Sequence, residues 1–481
     1  MMGIGSTGWS GAVCLLVLLS AGVATARPVE LPRLKVSENR RFLVKQDGAP
    51  FFWLADTAWW IRRLTPAEVD LYLSTRGKQG FTAIQIAPAS GHTEADYAGS
   101  KPFLDDNPDT PNEDFWRNID SIVDKAKDHG LYVVIFPVWG EDFNGLVGDD
   151  VEKAHRLGVW LGRRYGNRSH VLWAVSGEYD AINGFRLPIS EAQKSVINAM
   201  ARGLDEGHGN TQLMTIHPGV GRTSSLDFHH ESWLDLNMLQ SGHVADANAF
   251  GMEENYALIA HDYALTPTKP VLDGEPMYED TPDAVWIKQS VEGPRGGADV
   301  MRRKAYWAVF AGACGHTYGH NDLFNFFVPS HPGHVRGLPE GGPGQRGNWK
   351  DALTAPGATQ MRHLRALMES RPFLTRVPDQ SLIAGDAGEG AHYVQATRDG
   401  SRSYAMLYLP AAGQTMTVDT SKLSGKHLRA WWYNPRTGKA ATLKGDLPTG
   451  EKLEFTTPAE GPDWVLVLDD AAKGYPKPGS R

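Results

Sequence analysis

Residues 171–180 read VLWAVSGEYD: an apolar run passes through a small, flexible Ser176-Gly177 pair into an acid, Glu178. A carboxylate placed where a hydrophobic strand ends has two readings. It is an ordinary strand-end acid facing an arginine, or one member of a working pair at the mouth of a barrel. The rest of the chain decides between them. Before this stretch lie comparable runs at 51–56 (FFWLAD), 82–88 (TAIQIAP) and 132–139 (YVVIFPVW). After it come 213–219 (LMTIHPG), 236–243 (LNMLQSGH), 269–276 (KPVLDGEP) and 312–320 (GACGHTYGH).

Amphipathic segments separate these runs. TPAEVDLYLSTRGKQG predicts a helix that Thr65 caps and Gly80 stops. NEDFWRNIDSIVDKAKDHG places Phe115, Ile119, Ile122 and Val123 on one stripe. A further helix is expected over 356–371, with Met361, Leu364, Leu367 and Met368 at helical spacing. Near-continuous apolar strands alternating with helices describe a parallel sheet buried on both faces. Eight such units predict an α/β fold, a (β/α)8 TIM barrel, over residues 30–372. A doubly wound open sheet is the competing architecture, but no glycine-rich phosphate loop follows the first strand.

Beyond Pro372 the pattern changes to alternation in HYVQATRDG, SYAMLYLP, MTVDT, LRAWWYNPRTGKA, LEFTTP and DWVLVLDD. These segments predict a small antiparallel β-sandwich over 373–472, with turns at Asp399-Gly400 and Pro435 to Gly438. Ahead of the last barrel helix, VPSHPGHVRGLPEGGPGQRG (328–347) is a long loop of Gly, Pro and charge. Its place after the eighth strand puts it over the barrel mouth, where such loops are usually functional.

The N-terminal residues 1–26 are read as a cleaved signal peptide. GAVCLLVLLSAGV offers an apolar stretch of about 12 residues, short for a bilayer span, and Ala24-Thr25-Ala26 follows as a small-x-small cleavage site. No Lys or Arg precedes Arg27, so the usual positive n-region is missing, and an uncleaved anchor is the alternative. Cleavage removes Cys14, leaves no membrane span and implies a periplasmic or secreted protein. It leaves Cys314 alone, so stability must come from the core rather than from a disulfide. The net charge of −8 and the lack of a long basic run exclude nucleic acid as an expected partner. The 15 tryptophans among 481 residues lean toward a carbohydrate partner, because indole faces stack on sugar rings.

Polar residues at the strand ends are the candidate site: Asp56, Gln85, Trp139, Glu178, His217, Gln240 or His243, Glu275, and His316 or His320. Glu178 and Glu275 fall on strands four and seven, which face each other across a closed barrel. Opposed carboxylates are what glycosidic bond cleavage requires: one protonates the leaving oxygen, and the other attacks the anomeric carbon or activates water. Pro276 stops the seventh strand and favours a carboxylate at the rim, with Asp273 expected on the same face. Asp56 is a candidate for binding sugar hydroxyls and equally a candidate helix cap. Trp59 and Trp60 are core or platform, and Trp139 is the better stacking candidate. His316 with His320, and adjacent His229 and His230, have spacings a metal could use, but four apart in a strand and loop does not bring two rings to one face. Neither a metal nor a cofactor is expected, and no G-x-S-x-G elbow for acyl transfer is present.

FFWLADTAWW, GFTAIQ, VLWAVSGE and PVLDGEPMYE resemble the apiosidase-like glycoside hydrolases, family 140, and the C-terminal part is similar to the small sandwich that often follows that domain. The resemblance covers about residues 30 to 470. It implies that Glu178 is the general acid and Glu275 the second catalytic carboxylate. One departure is visible: the family's strand-four acid is often an aspartate after two glycines, whereas here a glutamate follows Ser176-Gly177. The extra methylene moves the carboxyl by about 1 Å or more, enough to alter the sugar accepted. The reading is an exported, exo-acting, retaining glycoside hydrolase that releases apiose or another pentofuranose or hexose from a polysaccharide side chain. Its alternatives are a non-catalytic carbohydrate-binding protein on a barrel scaffold and a metal-dependent hydrolase.

Overall fold

Eight short parallel strands follow one another at the positions the apolar runs predict: β1 Trp53–Thr57, β2 Ala83–Ile86, β3 Tyr132–Ile135, β4 Val171–Ala174, β5 Met214–Thr215, β6 Asn237–Gln240, β7 Val271–Asp273 and β8 Gly315–Tyr318. The computed structural model describes residues 1–5, 7, 8, 31–180, 188–330, 343–443, 445 and 447–480. The apolar stretch read as an export signal and most of the long loop after β8, residues 331–342, lie outside the described residues. No described helix is long and apolar enough to cross a membrane.

The order β8-β1-β2-β3-β4-β5 forms one parallel ladder, and β6 and β7 form a second. Where the ladders meet, single hydrogen bonds take over. The Asp235 N–H donates to Met214 O at 2.9 Å, and the Cys314 N–H donates to Val271 O at 2.9 Å. The first seam has a visible cause. The short strand Arg222–Thr223 pairs antiparallel with Leu239 and Gln240 and occupies the edge that β5 would otherwise use. The wall is therefore curled and continuous in chain order, with its regular ladder interrupted twice.

Parity along each strand sorts side chains into two sets. Trp53 Nε1 and Gln85 Nε2 both donate to Thr317 Oγ1, so alternate residues of β1, β2 and β8 meet inside the barrel. The other set faces the helices: α1 Pro66–Lys78, α2 Glu113–Asp128, α3 Val151–Tyr165, α4 Glu191–His208, α5 Asn255–Ala264, α6 Ala298–Phe310 and α7 Pro356–Glu369. Glu68 accepts from the Thr65 backbone N–H at 3.2 Å, closing the N-terminus of α1 as expected. Phe115, Ile119, Ile122 and Val123 of α2 are buried together. Helices α3 and α4 approach more closely than side chains allow, because a Cβ at Gly158 or Gly203 would strike the backbone of the other helix.

The C-terminal strands Arg376–Pro378, Gln395–Asp399, Tyr404–Leu409, Trp464–Asp470, His427–Asn434 and Lys439–Thr442 form an antiparallel sheet in that spatial order. Thr415–Asp419 and Lys452–Thr456 form a separate two-stranded ribbon. Leu407, Trp432 and Leu466 pack beneath the ribbon with Val418 and Phe455. Tyr408, Tyr433, Val465 and Val467 on the opposite face join the core of the barrel. The expected sandwich is thus lopsided, and its large sheet lies between the ribbon and the barrel helices. This is why the two central strands are buried at every residue instead of alternating.

Polar ties cross the same junction. Arg302 donates to both oxygens of Asp463 at 2.7 and 2.9 Å, and Arg371 to both oxygens of Asp469 at 2.9 and 2.8 Å. Tyr306 stacks on Tyr408 with ring centroids 4.9 Å apart. Replacing Asp469 with alanine strands a buried guanidinium, and the indole of Trp431 loses the same acceptor. Asp469→Ala is expected to lower the free energy of unfolding by about 3–5 kcal/mol in chemical denaturation. A loss below about 1 kcal/mol would show that this tie is dispensable.

Candidate active site

Glu178 lies four residues past the end of β4, and close contacts on both sides define its backbone. The Gly177 N–H donates to Val138 O at 3.1 Å, and the Gly140 N–H donates to Gly177 O at 2.7 Å. A Cβ at Gly177 would overlap the Trp139 indole, and one at Gly140 would overlap the Glu178 carbonyl. Both positions therefore need glycine because the chain on either side touches it. Glu178 itself has φ = 39°, a left-handed conformation that costs a non-glycine residue about 1–3 kcal/mol. Its half-buried carboxyl takes a hydrogen bond from Gln240 Nε2 on Oε1 at 3.1 Å and one from Trp139 Nε1 on Oε2 at 3.2 Å. Both donors are uncharged.

Glu275 has different surroundings. It follows Gly274, whose missing side chain makes room for Met238, and it is buried. Tyr278 donates its hydroxyl to Oε1 at 2.7 Å and itself accepts from Trp59 Nε1 at 2.8 Å. His243 Nε2 lies 3.2 Å from Oε1, and His217 Nε2 lies 3.2 Å from Oε2. Burial alone would raise the pKa of Glu275, but the two imidazoles outweigh it and hold the carboxyl well below the ordinary glutamate range. For Glu178, burial and then the nearby charge of Glu275 raise the carboxyl to about 8, against the weaker pull of Gln240 and Trp139. One mouth therefore holds a glutamate that keeps its proton near neutrality and another that gives it up.

Trp139, His217 and Gln240 are brought to this pair as the strand-end reading expected, and His243 joins them, so both candidates for strand six are used; Trp59, read as core or platform, lies against them as well. Trp59 meets Phe136, Trp139 and His217 edge to face, with centroids 4.9 to 6.1 Å apart. Tyr278, which the strand-end reading did not single out, belongs to the set. It lies three residues beyond Glu275 in PMYE, past the strand whose last polar residue drew attention.

Other expected site residues lie elsewhere. Asp56 has the parity that faces the helices and is fully buried against α1. Arg76 Nε lies 2.6 Å from its Oδ2, and Tyr72 donates to the same oxygen at 2.7 Å. Gln85 points into the barrel below the mouth, where its amide nitrogen donates to Gly274 O at 3.2 Å and to Thr317 at 2.9 Å. His316 alternates with inward Thr317 and so faces out; burial pushes its imidazole down to about 3. His320 accepts from the Asp322 N–H at 3.0 Å within the loop after β8. Asp273 turns to Ser241 and to Asn255 of α5 and does not share the face of Glu275, because the chain bends at Gly274. Among the described residues, no three or more His, Cys, Asp or Glu side chains are grouped to hold a metal ion.

An eight-stranded α/β barrel with two unlike glutamates at its mouth is the architecture of a glycoside hydrolase. The model of the apiosidase-like catalytic domain matches residues 37–375, and that of the "Putative collagen-binding domain of a collagenase" matches 377–469. A solved structure described as a glycoside hydrolase is 33% identical over 92% of this chain and 97% of its own, with a TM-score of 0.81. A family 5 glycoside hydrolase from Bacteroides vulgatus ATCC 8482 is also 33% identical, over 92% and 94% of the two chains, with a TM-score of 0.82. No curated protein matches the sequence. The chain belongs to the apiosidase-like glycoside hydrolases.

Gly177→Ala tests the close approach at Trp139. Displacing the indole moves the Glu178 carboxyl by a fraction of an ångström or more, and hydrolysis is expected to fall about 10²-fold with the fold retained by circular dichroism. Full activity would show that the indole gives way freely. The raised pKa of Glu178 also predicts a pH-dependent stability. A carboxyl that binds its proton more tightly when folded contributes stability fully present below 4.5, its ordinary value, and lost as pH rises to about 8. Glu178→Gln should therefore melt higher than the unsubstituted protein at pH 8 to 9. The gain should shrink toward pH 4.5 and vanish below it; a difference in Tm independent of pH would contradict the assignment.

Proposed function

We propose that Glu178 is the general acid and Glu275 the nucleophile of a retaining, exo-acting glycosidase. The observation that carries this reading is the opposite environment of the two carboxyls. Glu275, ionised and aligned by Tyr278, His217 and His243, attacks the anomeric carbon. Glu178, protonated at neutral pH, gives its proton to the leaving oxygen. In the second step Glu178 takes a proton from water, which attacks the glycosyl–Glu275 ester and frees the sugar with its original configuration. Retention is supported by the placement on strands four and seven.

Exo action is supported by the loops after β7 and β8, which are tied together. Asp280 lies 2.9 Å from Arg295 Nε and accepts from Arg346 Nε at 3.0 Å, and Gln345 donates to Asn321 O at 2.6 Å. The glycone is a neutral terminal sugar, apiose or another pentofuranose or a hexose, taken from a polysaccharide side chain. Trp59, Trp139, His217 and Gln240 contact it or hold the groups that do. The apolar N-terminal stretch and the Ala24-Thr25-Ala26 site support export to the periplasm or medium.

Residues 27–481 assayed against aryl glycosides, pentofuranosides included, test the reading. Glu178→Gln should lose about 10²–10⁴-fold on poor leaving groups and much less on dinitrophenyl glycosides. Its rate should also lack the alkaline limb expected of the parent near pH 8. Glu275→Gln should be inactive on both, and the first-formed sugar should keep its anomeric configuration by NMR. Unchanged hydrolysis in either variant would remove that residue from the mechanism.

A further inference from the structure

His217 lies within reach of polar atoms of both glutamates, and it does so from a fully buried position. Its backbone brackets the segment that carries Glu178. The His217 N–H donates to Ser176 O at 3.0 Å, and the Tyr179 N–H donates to His217 O at 3.2 Å. Between those two bonds the Glu178 backbone N–H donates to His217 Nδ1 at 3.4 Å. A nitrogen that accepts carries no proton, so the ring holds its proton on Nε2. That is the nitrogen 3.2 Å from Glu275 Oε2. One imidazole thus accepts from the main chain of one acid and sets its other nitrogen beside the carboxylate of the other, out of line for a hydrogen bond between them.

We propose that His217 is a positioning residue that couples the two acids: the backbone N–H of Glu178 selects its tautomer, and that tautomer keeps the ring's proton on the nitrogen beside the Glu275 carboxylate. The inference rests on the roles proposed above for the two glutamates and adds a link between them. The aromatic wall of Trp59, Phe136 and Trp139 packs around the ring and fixes its plane, with centroids 5.8 to 6.1 Å away.

Two substitutions separate the two contacts. In His217→Asn the amide oxygen stands where Nδ1 was and still accepts from Glu178, but nothing reaches Glu275. In His217→Gln the amide nitrogen reaches the place of Nε2 and still sets an N–H beside Glu275, but the acceptor for Glu178 is gone. The titratable groups facing this cluster are Glu178, Glu275, His243, Tyr278 and Asp180. In His217→Asn the acidic limb of kcat/KM should move up by about one pH unit or more, with the alkaline limb in place. In His217→Gln the acidic limb should stay, and the loss should be about tenfold or more on poor leaving groups and small on dinitrophenyl glycosides. Identical profiles in the two variants would reduce His217 to a packing residue and overturn the coupling. A second readout does not depend on catalysis. In histidine-labelled protein, the ¹⁵N signal pair that His217→Asn abolishes should show a bare Nδ1 and a protonated Nε2. A proton on Nδ1 would overturn the proposal whether or not Glu178 and Glu275 perform the hydrolysis, and retained hydrolysis in Glu178→Gln and Glu275→Gln would instead count against their roles.

Discussion

Two carboxyls brought into one poorly solvated mouth cannot both ionise cheaply, and most of the site follows from that constraint. The protein settles the contest by unequal company. Glu275 receives a phenol and two imidazoles, all able to present N–H or O–H groups to a negative charge. Glu178 receives an amide and an indole, which hold its orientation and do little to favour its anion. Because Glu275 settles its charge first, its field adds to burial in keeping the proton on Glu178. The order of these effects matters: burial is the largest single influence on each residue, and the neighbours taken together decide on which side of neutrality each one ends.

Geometry enforces what the charges need. The turn that lifts Glu178 clear of β4 works only with glycines at 140 and 177, and it places the acid in a backbone conformation that glutamate does not favour. The Trp139 indole fills the space Gly177 leaves, so the ring that donates to Glu178 also maintains the shape of its loop. Strain, packing and proton affinity are thus properties of the same few atoms.

The strands, their order and the two glutamates were legible because each rests on a local pattern: an apolar run, a helix period, a proline or glycine at a strand end. What was hidden depends on direction and distance. Asp56 ends an apolar run just as Glu178 follows one, yet parity turns Asp56 into the helix layer, where Arg76 and Tyr72 enclose it. Thr57, its neighbour, has the inward parity, and that alternation was the available clue. Gln85 has the right parity but sits too deep, beneath Gly274. Tyr278 reaches back from beyond a proline, and the link through His217 joins atoms 39 and 58 residues apart along the chain, which no local pattern records.

The C-terminal sheet has a consequence for how this protein can be divided. Its two central strands are apolar on both sides, and one of those sides is covered by the barrel helices. Cutting near residue 375 would bare a wall of tyrosine and valine on one piece and leave Arg302 and Arg371 without their aspartates on the other. Neither piece is a cassette. A recombination event or an engineered fusion that borrows the barrel must carry the sheet with it, so the two parts are bound to be inherited, exchanged and expressed as one unit.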